Sequence, residues 1–368
     1  MQLASQVPEG KQDSAASSPP EPSVTTKQGL RISALFVLFT LVRAIHPSII
    51  TASKSKLEDG SLGFAYQSAS TIVFPPLLIC VFAQLIILAV DGLKGWRAIW
   101  MPMPMLIFGL NGAIFAFGDW LELESLRKMH GAAYQILNQS KILITALMMM
   151  PLKGVYQTRL QWMLLAALMM VMSEYMCIQT ASQGSSGNTV PLSAYLFTLL
   201  KITCSCLGAV FTDKYAKVYS KTVSLTSQLV QTYLANFLFI TAFASCSSNI
   251  WSRGFFDGWD GLTVAVTISF GVKASVSYTV VALLDAILKN IGECAAVLLI
   301  FFYDVLVPWV DFRFHMPTFL SVIVTILLIG AYMDAKKTVE KAQKWDESMH
   351  DLIVGSSLQL LHEKALGA

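Results

Sequence analysis

Residues 131–150 read "GAAYQILNQSKILITALMMM". The run is long and apolar enough to cross a bilayer, for which about 20 residues are needed. Yet Lys141 stands near its middle. An ammonium group in hydrocarbon is costly and as a rule faces a cavity or a partner. On a continuous helix Tyr134, Asn138, Lys141 and Thr145 fall at i, i+4, i+7 and i+11, which is one stripe. That stripe offers an aromatic face, an amide, a cation and a hydroxyl. Such a set suits a ligand with a flat base, a sugar and a phosphate. The alternative is a structural lysine paired with an acid on a neighbouring helix.

The rest of the chain supports a membrane setting. Of 368 residues, 55% are hydrophobic and only 13% charged, and the mean hydropathy is +0.59. Soluble proteins carry about 25% charge. Ten spans are predicted, over 30–50, 64–90, 102–122, 131–151, 159–180, 191–212, 223–246, 261–284, 289–308 and 317–335. The connections, such as "SQGSSGN" and "SRGFFDGWDG", are too short to hold a soluble catalytic domain. Residues 1–28, rich in Ser, Pro and Gln, predict a disordered cytosolic tail. Beyond Ala335 a polar, Lys-rich cytosolic tail follows, with room for a short amphipathic helix. Basic residues in alternate connections are nearly balanced, and those in the two tails favour cytosolic termini. Ten spans divide into two five-helix units, about 30–180 and 191–335. An odd-numbered unit repeated in tandem inserts upside down the second time. A short echo, "FGLNGAIF" from Phe108 and "FGVKASVS" from Phe270, opens a span in each half.

Further ionisable groups lie in or beside spans. Asp119, Glu122 and Glu124 end the third, Lys201 and Lys273 lie in the sixth and eighth, and Asp285, Lys289 and Glu293 open the ninth. Lys289 and Glu293 are spaced i, i+4 and can pair with each other. Lys201 and Lys273 either snorkel or face a cavity.

An enzyme is disfavoured. The five histidines (46, 130, 315, 350, 362) are scattered, with no ligand spacing, nucleophile elbow or P-loop. No metal and no cofactor is called for. The six cysteines are dispersed through apolar runs and read as small core residues. A net charge of +3 gives no nucleic-acid footprint.

The segment "YQILNQSKILITA" resembles the Golgi nucleotide-sugar transporters, in particular the CMP-sialic acid and UDP-galactose branch of the drug/metabolite transporter superfamily. Against that branch's fourth-span pattern Tyr134, Gln135, Gln139, Lys141, Ile142, Leu143, Thr145 and Ala146 match, while Asn138 replaces a second tyrosine. "RLQW" (159–162) fits the next span's opening, and "RGFFDGW" a loop of the family. In "SLTSQLVQTYL" Ser224, Leu225, Gln231, Tyr233 and Leu234 agree, with Leu229 in place of an asparagine. In "VVALLDAILKN" Asp285, Ile287 and Lys289 are kept; Ala282, Leu283, Ala286 and Asn290 depart. Asp119 stands where relatives have an asparagine that reads the base.

The resemblance implies an all-α membrane protein of ten helices in two inverted repeats around a central cavity. It also implies exchange of a nucleotide sugar for a nucleoside monophosphate in the Golgi membrane. Lys141 and Lys289 are then the phosphate contacts, and Tyr134 and Tyr233 line the nucleoside pocket. Asp119, Asn138 and Gln231 read polar edges, with Asp119 suited to an amino-bearing base and able to pair with Lys141 when the site is empty. Membrane lipid surrounds the chain, and a homodimer is left open. Another carrier of the superfamily, or a non-transporting scaffold, would keep the same fold.

Overall fold

The computed structural model describes residues 24–53, 55–56, 62–67, 69–128, 131–182, 191–247, 254–306 and 316–366. The expected disordered tail therefore lies mostly outside the described residues. In chain order the helices are α1 (Val24–Ala52), α2 (Ser70–Val90), α3 (Gly92–Ile99), α4 (Pro102–Lys128), α5 (Gly131–Asn138) and α6 (Lys141–Lys153). They continue as α7 (Arg159–Ser182), α8 (Leu192–Val218), α9 (Leu225–Ser247), α10 (Gly261–Leu283), α11 (Ala286–Leu306) and α12 (Met316–Leu366). A two-residue antiparallel pair, β1 (Ser55–Lys56) with β2 (Leu62–Gly63), is the only extended pairing among the described residues.

Eight helices are long and apolar enough to span a bilayer: α1, α2, α4, α7, α8, α9, α10 and the first part of α12. They cover eight of the ten expected spans. Large apolar side chains such as Leu106, Met163 and Leu327 point outward, while Asn111, Gln231, Thr232 and Asp213 are buried. This inside-out distribution suits a lipid solvent.

The other two expected spans, carrying Lys141 and Lys289, correspond to α5 with α6 and to α11. The fourth is broken. α5 stops at Asn138, the chain turns at Gln139 and Ser140, and α6 begins at Lys141. The Ser140 hydroxyl donates to the Leu137 carbonyl (2.7 Å), and the Gln139 and Ser140 amides bond three residues back instead of four. Ser side chains compete for backbone groups in this way and disturb a helix. The stripe from Tyr134 to Thr145 is thus spread over two pieces. Asn290 of α11 steadies the break by donating to the Thr145 hydroxyl (2.8 Å) and the Lys141 carbonyl (3.5 Å). Gly154, left-handed at φ +69°, closes α6. The ninth span, α11, has the length but carries Lys289 and Glu293 near its start.

α4 and α9 pack closely against each other. Gly112 lies against the Thr232 backbone and Gly109 against Ala235. The Asn236 amide donates to the Gly112 carbonyl (3.4 Å), and the Asn111 amide to the Thr212 hydroxyl of α8 (2.7 Å). Small residues and interhelical hydrogen bonds hold membrane helices where no hydrophobic drive exists between them. α1 packs on α10 and α11, and α7 on α12. The C-terminal tail, expected as a separate short helix at most, continues α12 unbroken to Leu366.

Candidate functional site

Three cations converge on one acid. The Glu293 carboxylate of α11 accepts a hydrogen bond from Lys141 of α6 and forms ion pairs with Arg43 of α1 and with Lys289 one turn earlier on its own helix (3.1 Å). Lys141 and Glu293 are buried, and Lys289 is nearly so. The pairing of Lys289 with Glu293 is the one their spacing allowed. Lys141 has the same resident partner, so it does not pair with Asp119, and the ammonium is not left waiting for a ligand. Three positive charges still share one negative charge.

A second group lies around it. Lys201 of α8 pairs with Glu122 of α4 (3.0 Å) and donates to the Tyr134 hydroxyl, with its ammonium over the Tyr134 ring. Lys273 of α10 donates to His46 Nε2 (3.0 Å) and lies over the Phe270 ring at 4.2 Å. His46 Nδ1 then carries the proton it gives to Ser269 (2.9 Å). Lys201 and Lys273 therefore both face inward and do not snorkel. Asp119 is exposed yet has Glu122, Lys201 and Lys273 as electrostatic neighbours, so it borders an internal opening. Together Arg43, Lys141, Lys201, Lys273 and Lys289 oppose Asp119, Glu122 and Glu293, a surplus of two positive charges.

A cavity of about 80 Å³ opens beside this layer, lined by Phe115, Thr212, Tyr233, Ser277, Tyr278 and Lys289, among others. It brings Tyr233 and Lys289 of the expected set together; Lys141 does not line it and is linked to Lys289 through their shared partner Glu293. Tyr134 is buried in the Lys201 group, and Asn138 is half-buried at the end of α5. Gln231 stands apart. Its amide donates to the Ile99 carbonyl at the end of α3 (2.7 Å), which ties α9 to that corner and removes it from the site.

One end of the bundle is latched by ions. Asp213 of α8, fully buried, accepts from Lys153 of α6 (2.7 Å), Lys217 (2.5 Å) and the Ala286 amide of α11 (3.4 Å). Lys217 also donates to the Leu284 carbonyl (2.5 Å), Lys214 to that of Leu152 (2.8 Å), and Lys336 of α12 pairs with Asp285. Asp213→Asn leaves both lysines short of a counterion, but they are partly wet. The expected loss is about 1–3 kcal/mol, read as earlier thermal unfolding in detergent. An unchanged unfolding curve would show that the latch adds nothing.

Sequence reasoning missed Arg43, His46, Phe115 and Tyr278. Arg43 gave a usable signal, an arginine inside the apolar run "FVLFTLVRAIHPSII". The aromatic residues gave none, because a Phe or Tyr in a span is ordinary.

The sequence model of the nucleotide-sugar transporter family matches residues 29–333, most of the chain. This protein belongs to the nucleotide-sugar transporter family. It is a transporter, not an enzyme. Among its relatives, a probable UDP-sugar transporter protein SLC35A4 of Danio rerio is 24% identical over 71% of this chain and 82% of its own. The UDP-N-acetylglucosamine transporter of Mus musculus is 22% identical over 76% and 87%. That of Bos taurus is 24% identical over 62% and 70%. A solved crystal structure aligns with a TM-score of 0.61 over 82% of this chain and 97% of its own; at 12% identity it shows the fold alone.

Proposed function

We propose that this transporter exchanges a cytosolic UDP-linked sugar for the corresponding nucleoside monophosphate across the Golgi membrane, by alternating access. The carrying observation is the convergence of Arg43, Lys141 and Lys289 on the single carboxylate of Glu293 beside the Tyr233 cavity. The UDP sugar is suggested by the relatives described above, and the class of cargo by the family.

A sugar-linked diphosphate carries two negative charges, and a nucleoside monophosphate close to two at neutral pH. Either matches the surplus of two positive charges around the cavity. The ligand's phosphate takes donors from Lys141 and Lys289, and Glu293 keeps Arg43 neutralised. A filled site is then near neutral and can close in low dielectric; an empty one keeps its surplus, which closure would desolvate at a cost of several kcal/mol. This asymmetry favours exchange over leak. The fourth and ninth segments stand fourth in each proposed half, and each carries one of the two lysines. The fourth is interrupted just before its lysine, and transporter sites sit where spans are interrupted, which supports ten membrane segments in two inverted repeats. Cytosolic termini follow from the basic tails.

The test is uptake of UDP-sugar into proteoliposomes loaded with UMP. Lys141→Ala and Lys289→Ala should each reduce uptake at least about 10-fold, from the loss of a charge-assisted bond to phosphate. Wild-type rates in both variants would remove the phosphate role.

A further inference from the structure

The short helix α3 takes no part in the ion layer or the cavity. α2 ends at Val90, and Gly92, left-handed at φ +61°, re-aims the chain into α3. Because α3 joins α2 to α4, both long and apolar enough to span, it sits at the membrane boundary. It rests on α2 and α9, with Ile99 buried against Ala83, Ile87 and Val230. The Gln231 amide holds its last carbonyl (2.7 Å). Leu93, Trp96 and Trp100 fall at i, i+3 and i+7, on another face. All three are exposed, Leu93 by 70% and Trp100 by 53%. The two indoles stand edge-on with centroids 6.1 Å apart. Lys94 and Arg97 are exposed alongside, and neither has an ion-pair or hydrogen-bond partner among the described residues.

A boundary helix with indoles on one face and cations beside them fits the headgroup layer of a bilayer. An indole is suited to that depth, where its ring meets acyl chains and its N–H meets polar atoms. Val90 before α3 and Met103 after it also face outward, so the apolar surface continues onto the flanking spans. The two cations find in the same layer what the chain does not give them, a phosphate oxygen to pair with. Asp91 is the one acid from residue 91 to residue 118, against both Lys94 and Arg97, so the local charge is positive. We propose that α3 is a binding site for anionic phospholipid, with Trp96 and Trp100 at the acyl boundary and Lys94 and Arg97 on the headgroup. In the orientation given above α3 lies on the cytosolic side, where the leaflet is rich in anionic lipid. The site does not depend on which cargo the protein carries.

The experiment is native mass spectrometry of the full chain in detergent supplied with phosphatidylserine or phosphatidylcholine. Wild type should retain phosphatidylserine in preference to phosphatidylcholine. Lys94→Gln combined with Arg97→Gln should weaken phosphatidylserine retention at least about 10-fold, the worth of two cations beside an anionic headgroup. Both side chains are exposed, so their loss does not unseat α3. Trp96→Ala combined with Trp100→Ala should weaken both lipids alike, because the indoles hold chains and not charge. Lys337→Gln removes an exposed cation from α12 instead and should retain lipid as the wild type does. A wild type without phosphatidylserine preference overturns the proposal, as does unchanged retention in the Lys94 and Arg97 variant. An equal loss in Lys337→Gln overturns it too, since any surface cation would then serve. Glycerophosphoserine, the same headgroup without chains, should not displace the lipid; displacement would make this a site for a soluble phosphate ester. No nucleotide enters these measurements, so their failure leaves the carrier reading standing, and failure of the uptake test leaves this site standing.

Discussion

Glu293→Gln should yield an empty protein that melts on the order of 10 °C lower than the wild type and regains most of that loss when UMP is added. The carboxylate is the shared counterion of Arg43, Lys141 and Lys289. Removing one partner of a buried ion cluster leaves uncompensated charge and costs about 3–5 kcal/mol. For a chain of this size each kcal/mol moves the midpoint by roughly 2–4 °C. The variant then presents three unpaired cations to an anionic ligand, so nucleotide should raise its midpoint more than it raises that of the wild type. Exchange should slow in parallel, because product leaves a site that has no resident acid to take its place. Thermal scans of both proteins with and without UMP measure this directly. Equal midpoints and equal ligand shifts would mean that Glu293 is a bystander.

Gly112→Ala should fail to accumulate as a monodisperse protein, whereas Gly330→Ala should behave as wild type. A Cβ at Gly112 would stand 2.0 Å from the Thr232 carbonyl oxygen and 3.0 Å from the Asn236 nitrogen. Both are backbone atoms, so no rotamer change relieves the clash and α9 must move off α4. Overpacking costs about 1–3 kcal/mol where side chains can adjust, and more where they cannot. The displaced helix carries Tyr233, so the cavity wall would move with it. Nothing lies within 4 Å of a Cβ at Gly330, which makes it the matched control. Size-exclusion profiles of the two variants decide; similar peaks would show that the crossing tolerates separation.

The membrane architecture was legible because span length and hydropathy are set by the bilayer and not by packing. The two segments that escaped the expected form did so for local reasons. The fourth is apolar enough by composition, but Ser140 and Gln139 bond backwards and split it. The tail after Ala335 was expected to hold a short helix at most, yet α12 runs through it, because helix once nucleated propagates at little cost. In the site, Lys141 and Lys289 were visible as charges out of place, and Glu293 as a helical neighbour of Lys289. That Glu293 also serves Lys141, 152 positions away in sequence, is a tertiary fact. So is the departure of Gln231 towards Ile99: a glutamine on an apolar helix reads the same whether it faces a ligand or a carbonyl.

The unbroken run of α12 has a mechanical consequence. Its membrane part ends near Ala342 and the helix goes on to Leu366, at about 1.5 Å per residue a further stalk of roughly 36 Å. Its foot is pinned by Lys336 to Asp285, four positions before Lys289. A small tilt at that pin is magnified at the far tip. A fluorophore placed there would act as the needle of a gauge, reporting each turnover from well outside the lipid.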